Sequence, residues 1–515
     1  FGALLLAGVA CDAAELTEIE ARGKQIYVTG TSPSGQDIVA LVGVDGFELP
    51  ASSMTCSSCH GLDGRGRPEG GVVPSDITWA HLTKAYGHDH SYGRQHPAFD
   101  KAGVEAAIRT GVDPAGNRLD LAMPAFRMED DDLAALIAYL QRIETDYDPG
   151  VTPETLRIGT LLPDAGPMAP LGAAMRGVLS AYFASVNAGG GINGRRLELE
   201  VIAWGASPES TLQALESRIA AGDVFALLSP FSAGIETELV RLAEDYELPV
   251  IAPYTLQPPP ASALERYTFR LFPGGTELVR VLVEEIAGGS AGADPDVLVT
   301  GTDDAATEQL AAAVDKQLRR RNWRDAEREL YAPGTFDTDR IADRLQDSGA
   351  RAMFFFGTPD ELERLLAAAS ERGITATIAI PPDRVTPSLF AAAAGFDGRV
   401  LSAFPRSPAD VTPAGRKAYT ALREYGELAA DSAAAQLAVL AAAKTFGEGV
   451  MRAGKHLSRE SFVAALEGLN NFETGLAPPL SFSLNRRVGA LGAHVVRVDP
   501  EKQSFVPEGA WKSLK

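Results

Sequence analysis

The chain has 515 residues, 45% hydrophobic and 22% charged, with 47 basic against 68 acidic side chains for a net charge of −21. That length exceeds one core and predicts two to four domains of ordinary soluble composition. The acidity excludes nucleic acid as a partner, because phosphate binding needs basic patches, and suits docking to a basic protein surface.

Residues 1–14 read as a truncated export signal. Phe1 to Ala10 is apolar and rich in small residues, like the core of a signal peptide. Cys11 follows Ala7-Gly8-Val9-Ala10, which resembles a permissive bacterial lipobox in which Cys11 would be lipidated. Gly8 departs from that pattern, where Leu is commoner, and a cleaved signal beside a free Cys is the alternative. No later run of about 18 apolar residues exists to span a bilayer. Membrane contact is therefore expected only through a lipid anchor on Cys11, and a single chain holds a protein marginally.

The stretch from Gly30 to Thr55 carries Pro, Gly and alternating apolar residues, and predicts a small hairpin. Cys56-Ser57-Ser58-Cys59-His60 follows. It reads C-x-x-C-H, the attachment signature of a c-type haem. The two thiols would add across the porphyrin vinyl groups, and His60 would place an imidazole on the iron. With three Cys and seven His in the whole chain, chance coincidence is rare. A zinc site would want a second Cys/His pair, and the one remaining Cys is Cys11. His81, His88, His90 and His96 form a His-rich insertion, read as a solvated loop, with a metal site or a second iron ligand as the alternative. Met123, followed by Pro124, is the candidate second axial ligand, and a thioether there raises the reduction potential. Met128 competes for that role. Glu129 to Ile143 predicts a helix, with Glu129, Asp130, Asp131 and Asp132 at its positive end and Leu133, Leu136, Ile137 and Leu140 at helical spacing.

Residues 15–147 resemble a small single-haem cytochrome c. The resemblance places Gly23 and Tyr27 on a first helix that crosses the last at Leu136, Tyr139 and Leu140. Gly61-Leu62-Asp63-Gly64-Arg65-Gly66 also looks like the loop after the haem motif of such proteins. An all-α domain with one covalent haem c, a redox partner protein and a location outside the cytoplasm are implied.

Residues 148–153, within Asp146-Tyr147-Asp148-Pro149-Gly150-Val151-Thr152-Pro153, read as a linker. Beyond it short apolar strands alternate with helices. Leu156 to Leu162 is a strand, and Leu171 to Val186 a helix with Met175, Val178, Leu179, Tyr182 and Phe183 on one face. Leu197, Leu199 and Val201 alternate. Phe225 to Leu228, Pro249 to Ile251, Val297 to Val299, Met353 to Phe356 and Thr377 to Ile380 continue the rhythm. Such units predict parallel sheets covered by helices, and their length predicts two lobes.

Residues 154–500 resemble a type I periplasmic solute-binding protein of the branched-chain amino-acid ABC receptor family, on three segments: Asn187 to Arg195, Leu228 to Gly234 and Leu248 to Pro253. The resemblance implies two α/β lobes closing on a ligand about a hinge. Lobe one would be about 154–274 plus 406–475, lobe two about 275–405 plus the C-terminus, with 501–515 as a tail. Ser232, Tyr254 and Thr255 fall on first-lobe loops that contact ligand in such receptors, and Asp383 is the second-lobe candidate. Hydroxyls and backbone N–H groups there can hold a carboxylate. Leu256 stands where a hydroxyl is usual, and Val299 to Thr307 lacks the usual Tyr-Gly pair, so an α-amino acid is not the expected ligand.

The implied function is that of an exported haem-containing solute-binding protein rather than an enzyme. It would capture a small organic ligand and carry electrons, with an ABC permease as a further candidate partner. The alternative is an electron carrier for a periplasmic dehydrogenase, its receptor-like domain serving as a docking or sensing module. Two protein ligands on the iron would fill its axial positions, which argues against a catalytic haem.

Overall fold

Thr17 opens the first helix, α1 (Glu18–Thr29), with a capping box: its hydroxyl accepts from the Glu20 N–H, and the Glu20 carboxylate accepts from the Thr17 N–H. This computed structural model describes residues 16–66, 73–90, 93–255, 258–259, 265–289, 296–430 and 432–514. Cys11 and Leu256 lie outside the described residues. The chain divides into two units, Phe1–Glu154 with Lys455–Ser461, and Thr155–Gly454 with Phe462–Lys515.

In the first unit α1 is followed by β1 (Val39–Val42), β2 (Phe47–Pro50), α2 (Cys56–His60) and α3 (Trp79–Leu82). Then come β3 (His88–Asp89), β4 (Gln95–His96), α4 (Lys101–Thr110), β5 (Ala125–Arg127) and α5 (Asp130–Arg142). The expected hairpin is present, with Val39 opposite Pro50 and Val42 opposite Phe47. Strand β5 adds to its free edge, Ala40 opposite Phe126. Three residues are too few to carry a period of two, so this strand had no signal of its own. Helices α1 and α5 cross at Gly23, where a Cβ would lie 2.0 Å from the Ala135 carbonyl oxygen. The missing side chain lets Tyr27 and Tyr139 pack ring to ring, 5.5 Å apart. Ile26, Leu136, Ile137, Leu140, Val104, Ile108 and Phe126 complete this core.

The stretch read as a linker takes a defined local turn. The Val151 N–H donates to the Asp148 carbonyl at 3.0 Å, and Gly150 takes φ 75°. Val151 is 3% exposed. Asp146 accepts from the Tyr139 hydroxyl at 2.9 Å and pairs with Lys24 at 2.7 Å. The Pro and Gly breakers make a tight turn whose apolar residue is buried.

The second unit begins with β6 (Thr155–Leu162), α6 (Ala169–Ala188), β7 (Arg196–Ala203), α7 (Pro208–Ala220), β8 (Ala226–Leu228), α8 (Glu236–Asp245), β9 (Val250–Ile251) and β10 (Thr268–Phe269). These strands form a parallel sheet in the order β10-β9-β8-β6-β7. Next come α9 (Gly275–Gly289), β11 (Val297–Thr302), α10 (Ala305–Arg320), β12 (Glu327–Tyr331), α11 (Thr338–Ser348), β13 (Ala352–Phe355), α12 (Pro359–Glu371), β14 (Thr377–Ile380), α13 (Leu389–Ala392) and β15 (Arg399–Phe404). The chain then runs through α14 (Pro413–Tyr425), α15 (Ala433–Ala453) and α16 (Arg459–Glu467) before β16 (Gly492–Asp499), β17 (Ser504–Pro507) and β18 (Lys512–Ser513). The second sheet has the order β12-β11-β13-β14-β15-β16-β17, with β18 on β16, and is parallel up to β15 and antiparallel beyond. Strands β8, β9, β13 and β14 are buried at every position, the reason they read as unbroken apolar runs rather than alternating ones.

Helix α6 is apolar enough to lie between its sheet and α15: Met175, Val178, Leu179 and Phe183 are buried. The turn after it has the chemistry its sequence demands. The Asn187 amide donates to the Leu197 carbonyl and its oxygen accepts from the Leu197 N–H. Gly191 takes φ 78°, where a Cβ would meet the Arg195 carbonyl at 2.0 Å. The chain leaves the first sheet for the second after β10, and between β15 and β16 it returns as α14 and α15, which pack on α6 and β8 of the first. This connectivity divides the unit into two α/β lobes.

Candidate functional site

The haem motif is a single helical turn. Thr55 caps it, its hydroxyl accepting from the Ser58 N–H at 3.2 Å, and Gly61 leaves it at φ 76°. Cys56 and Cys59 are both free thiols on this turn, with His60 next. Burial pushes the Cys56 thiol up to about 12, and Cys59 is exposed. The His60 ring is 7% exposed, and its Nδ1 lies 2.9 Å from the Ser75 carbonyl oxygen. That contact commits the Nδ1 proton and leaves the Nε2 lone pair for a metal. Burial pulls the His60 pKa down, against the bond to Ser75 and the charge of Asp76, and so favours the neutral ligand form. The Tyr27 hydroxyl donates to the Gly61 carbonyl at 2.6 Å and ties the motif to α1. Two tethering thiols and a tautomer-locked imidazole on one turn fit a covalent haem. Among the described residues the one cluster of metal-holding type is His88, His90 and His96, which contains neither cysteine.

Met123 sits on a turn, its N–H bonded to the Asp120 carbonyl at 2.9 Å, and is partly buried against the core. Met128 is a core residue, 6% exposed. The solvated-loop reading of the His-rich insertion is overturned for His88 and His96, while the His81 side chain stays 37% exposed. His88 and His96 are 8% and 6% exposed, and both pack edge-on against Phe99 at 6.0 and 4.9 Å. Their pairing on β3 and β4 takes them out of solvent.

In the second unit the strands deliver their loops at their carboxyl ends, where open α/β sheets bind ligands. Ser229 after β8 and Ala252 after β9 hold φ of 47° and 54°, a conformation that costs a non-glycine residue about 1–2 kcal/mol. The two distorted strand ends hold their loops against each other. The Tyr254 N–H donates to the Pro230 carbonyl at 2.7 Å, and the Ser232 N–H to the Tyr254 carbonyl at 3.0 Å. Ser232 is 1% exposed, and among the described residues its hydroxyl has no hydrogen-bond partner. Thr255 donates to Glu236 at 2.6 Å. Three of the four sequence-chosen residues therefore share one loop cluster. Asp383 lies on the other lobe, in the 3-10 turn Pro382–Arg384, ion-paired with Arg384 at 3.2 Å.

Sequence reasoning missed two members of this cluster. Glu236 is the first residue of α8, and the chain turns back so that it also accepts from the Gly234 N–H at 2.8 Å. Arg406 follows β15. It donates to the Ala434 carbonyl at 2.7 Å and stacks over Phe272 at 5.5 Å. Burial depresses its pKa, partly offset by Tyr254 and Asp410. Burial likewise raises the Tyr254 phenol, with Arg406 opposing. Among the described residues Arg406 makes no ion pair. Neither residue carries a recognisable motif; Glu236 follows on the Ser232 loop itself, and Arg406 arrives through tertiary connection.

Two α/β sheets, with loops at their strand carboxyl ends and with α14 and α15 of the later chain packed back on the first, define a bilobed α/β unit. The periplasmic binding protein family model matches residues 155–503, and the chain belongs to that family. The cytochrome c model matches residues 44–144, which makes the first unit a cytochrome c domain, a type that carries haem c. Among solved structures the chain is similar to a putative branched-chain amino-acid ABC transporter protein from Rhodospirillum rubrum, at 18% identity and a TM-score of 0.55 over 68% of this chain and 99% of that one. It is also similar to a branched-chain amino-acid ABC transporter protein from Thermus thermophilus with bound valine, at 17% identity and a TM-score of 0.52, over 70% and 97%. A fatty acid ABC transporter substrate-binding protein from Thermomonospora curvata matches at 17% identity and a TM-score of 0.51, over 72% and 95%. These likenesses concern the fold. No curated protein matches the chain. Among the described residues no helix is long and apolar enough to cross a membrane.

Proposed function

We propose that this protein works outside the cytoplasm as a solute-binding protein that captures a small organic anion between its lobes and carries electrons through one covalent haem c. Cys56 and Cys59 would tether the haem, and His60 and Met123 would hold its iron. A bound haem supplies a one-electron iron couple. The Ser75 carbonyl orients the His60 ring, and a Met123 thioether on the iron would favour its reduced form. Met128 serves the core instead. A redox partner protein and an ABC permease are the expected docking partners, and lipidation of Cys11 would hold the protein at a membrane.

The observation that carries the ligand reading is Arg406, a half-buried guanidinium with no ion pair beside Tyr254, in a unit whose loop cluster also holds the unpartnered hydroxyl of Ser232. A buried polar atom without a partner costs about 1–3 kcal/mol. A carboxylate would pair with Arg406, and ligand oxygens would give Ser232 the partner it lacks. Thr255 and Glu236 offer a polar contact for a hydroxyl or ammonium on the same ligand, and Asp383 a second contact from the other lobe. Calorimetric titration of the intact holoprotein with short carboxylates, fatty acids, aromatic acids and amino acids tests this. Arg406→Ala should weaken the binding anion by about 1.5–3 kcal/mol, as for other charge-assisted hydrogen bonds. Unchanged affinity in both Arg406→Ala and Ser232→Ala would overturn the assignment.

A further inference from the structure

We propose that His88, His90 and His96 form a site for one divalent transition-metal ion of the zinc and copper class, additional to the haem iron. Backbone geometry brings the rings together. Strands β3 and β4 pair antiparallel with His88 directly opposite His96, so both side chains leave the ladder on one face. His90 lies two residues beyond His88, and side chains two apart share a face. One ring nitrogen from each of the three lies within 4.8 Å of the others. The Nε2 atoms of His90 and His96 are 3.0 Å apart. Two nitrogens bound at about 2.0–2.1 Å to a tetrahedral zinc lie about 3.3 Å apart, so a small ring rotation admits the ion.

The outer contacts fit the same reading. A metal-ligating imidazole usually donates its other N–H to a carbonyl or carboxylate. His96 Nδ1 lies 2.8 Å from the Pro97 carbonyl oxygen, and His88 Nε2 lies 3.1 Å from that of Leu82. Each of these two rings therefore has one nitrogen committed and one lone pair left. Imidazole nitrogen suits zinc, copper and nickel and does not suit calcium or magnesium. Three protein nitrogens leave a fourth position for water or an exogenous ligand. One group opposes the ion. Arg94 contacts His90 Nε2 at 3.1 Å. The same guanidinium pairs with the buried Asp113 at 3.3 Å, and a shift toward that carboxylate would clear the site.

The test uses the full-length holoprotein after chelator treatment, titrated with zinc chloride by calorimetry and by competition against a chromogenic chelator. One equivalent should bind. His90→Gln, at the least buried of the three positions, should lose more than about 100-fold in affinity, beyond the 10–100-fold typical of losing only an outer-shell contact. His96→Gln should do the same, whereas His81→Gln, outside the trio, should bind as the parent does. Arg94→Ala should bind more tightly. Melting curves and the haem absorption spectrum of each variant establish that it is folded. Three results would each overturn the proposal: no stoichiometric zinc, affinity retained in both His90→Gln and His96→Gln, or a changed haem spectrum in either, which would make the ring an iron ligand.

Discussion

Replacing Gly23 by alanine should destabilise the cytochrome domain, although alanine is the better helix former by about 1 kcal/mol. The added Cβ would stand 2.0 Å from the Ala135 oxygen, 2.6 Å from its carbonyl carbon and 2.7 Å from the Tyr139 Cβ. All three belong to the backbone or its first side-chain atom, so none can swing aside. Normal contact at about 3.5 Å requires the helices to part by roughly 1.5 Å, and a gap of that order forfeits half or more of each dispersion contact across the seam. That seam holds Ile26, Tyr27, Leu136, Tyr139 and Leu140. Overpacking typically costs about 1–3 kcal/mol, and more where nothing can move, so a net loss of at least about 2 kcal/mol is expected. Thermal unfolding followed at the haem absorption band should show a midpoint lower by about 6–10 °C. Gly288 in α9 is the reference, because a Cβ added there would meet nothing within 4 Å, and Gly288→Ala should be neutral or slightly stabilising by far-UV dichroism. A Gly23→Ala midpoint equal to or above the parent's would refute the helix crossing, since propensity would then be the only term left.

Met123→Ala should abolish the weak Met–iron band at the red end of the oxidised spectrum and lower the reduction potential; if Met128→Ala does so instead, the ligand is reassigned. Burial pushes the Tyr27 phenol far above its ordinary value, with Cys56 and Tyr139 adding to the shift. Its contribution to stability is complete below about pH 10, where the unfolded phenol ionises, and is lost progressively as pH rises beyond that. Tyr27→Phe should therefore lower stability at pH 7 by about 0.5–1.5 kcal/mol through the lost bond to Gly61, while flattening the alkaline limb; an unchanged alkaline limb would assign it to other groups.

What the sequence makes legible depends on how local the signal is. Cys56 to His60 is one turn, and its chemistry is written in five consecutive residues. Strands β8, β9, β13 and β14 of the second unit are fully buried runs, such as Ala352 to Phe355, so apolar content alone locates them. Asn187 to Arg195 carries its turn in its own glycines. By contrast Arg406 comes beside Tyr254 from more than 150 residues along the chain, and neither it nor Glu236, which bonds its own loop at Gly234, sits in a recognisable pattern. The paired His88 and His96 stand on strands of two residues, too short for periodicity to reveal, so the insertion read as solvated. Residues 148–153 show where a local signal stops short of local form. Pro and Gly signal a break, but a tight turn and an open tether need the same residues, and only the burial of Val151 separates them.

Native mass spectrometry of the protein purified from its source tests the central claim most directly. The account predicts the mass of the chain plus one haem that survives denaturation, together with one small organic anion that is present in the native spectrum, lost on denaturation and absent from Arg406→Ala. A chain without covalent haem, or one that carries no small molecule and gains none when offered the carboxylate panel, would contradict it.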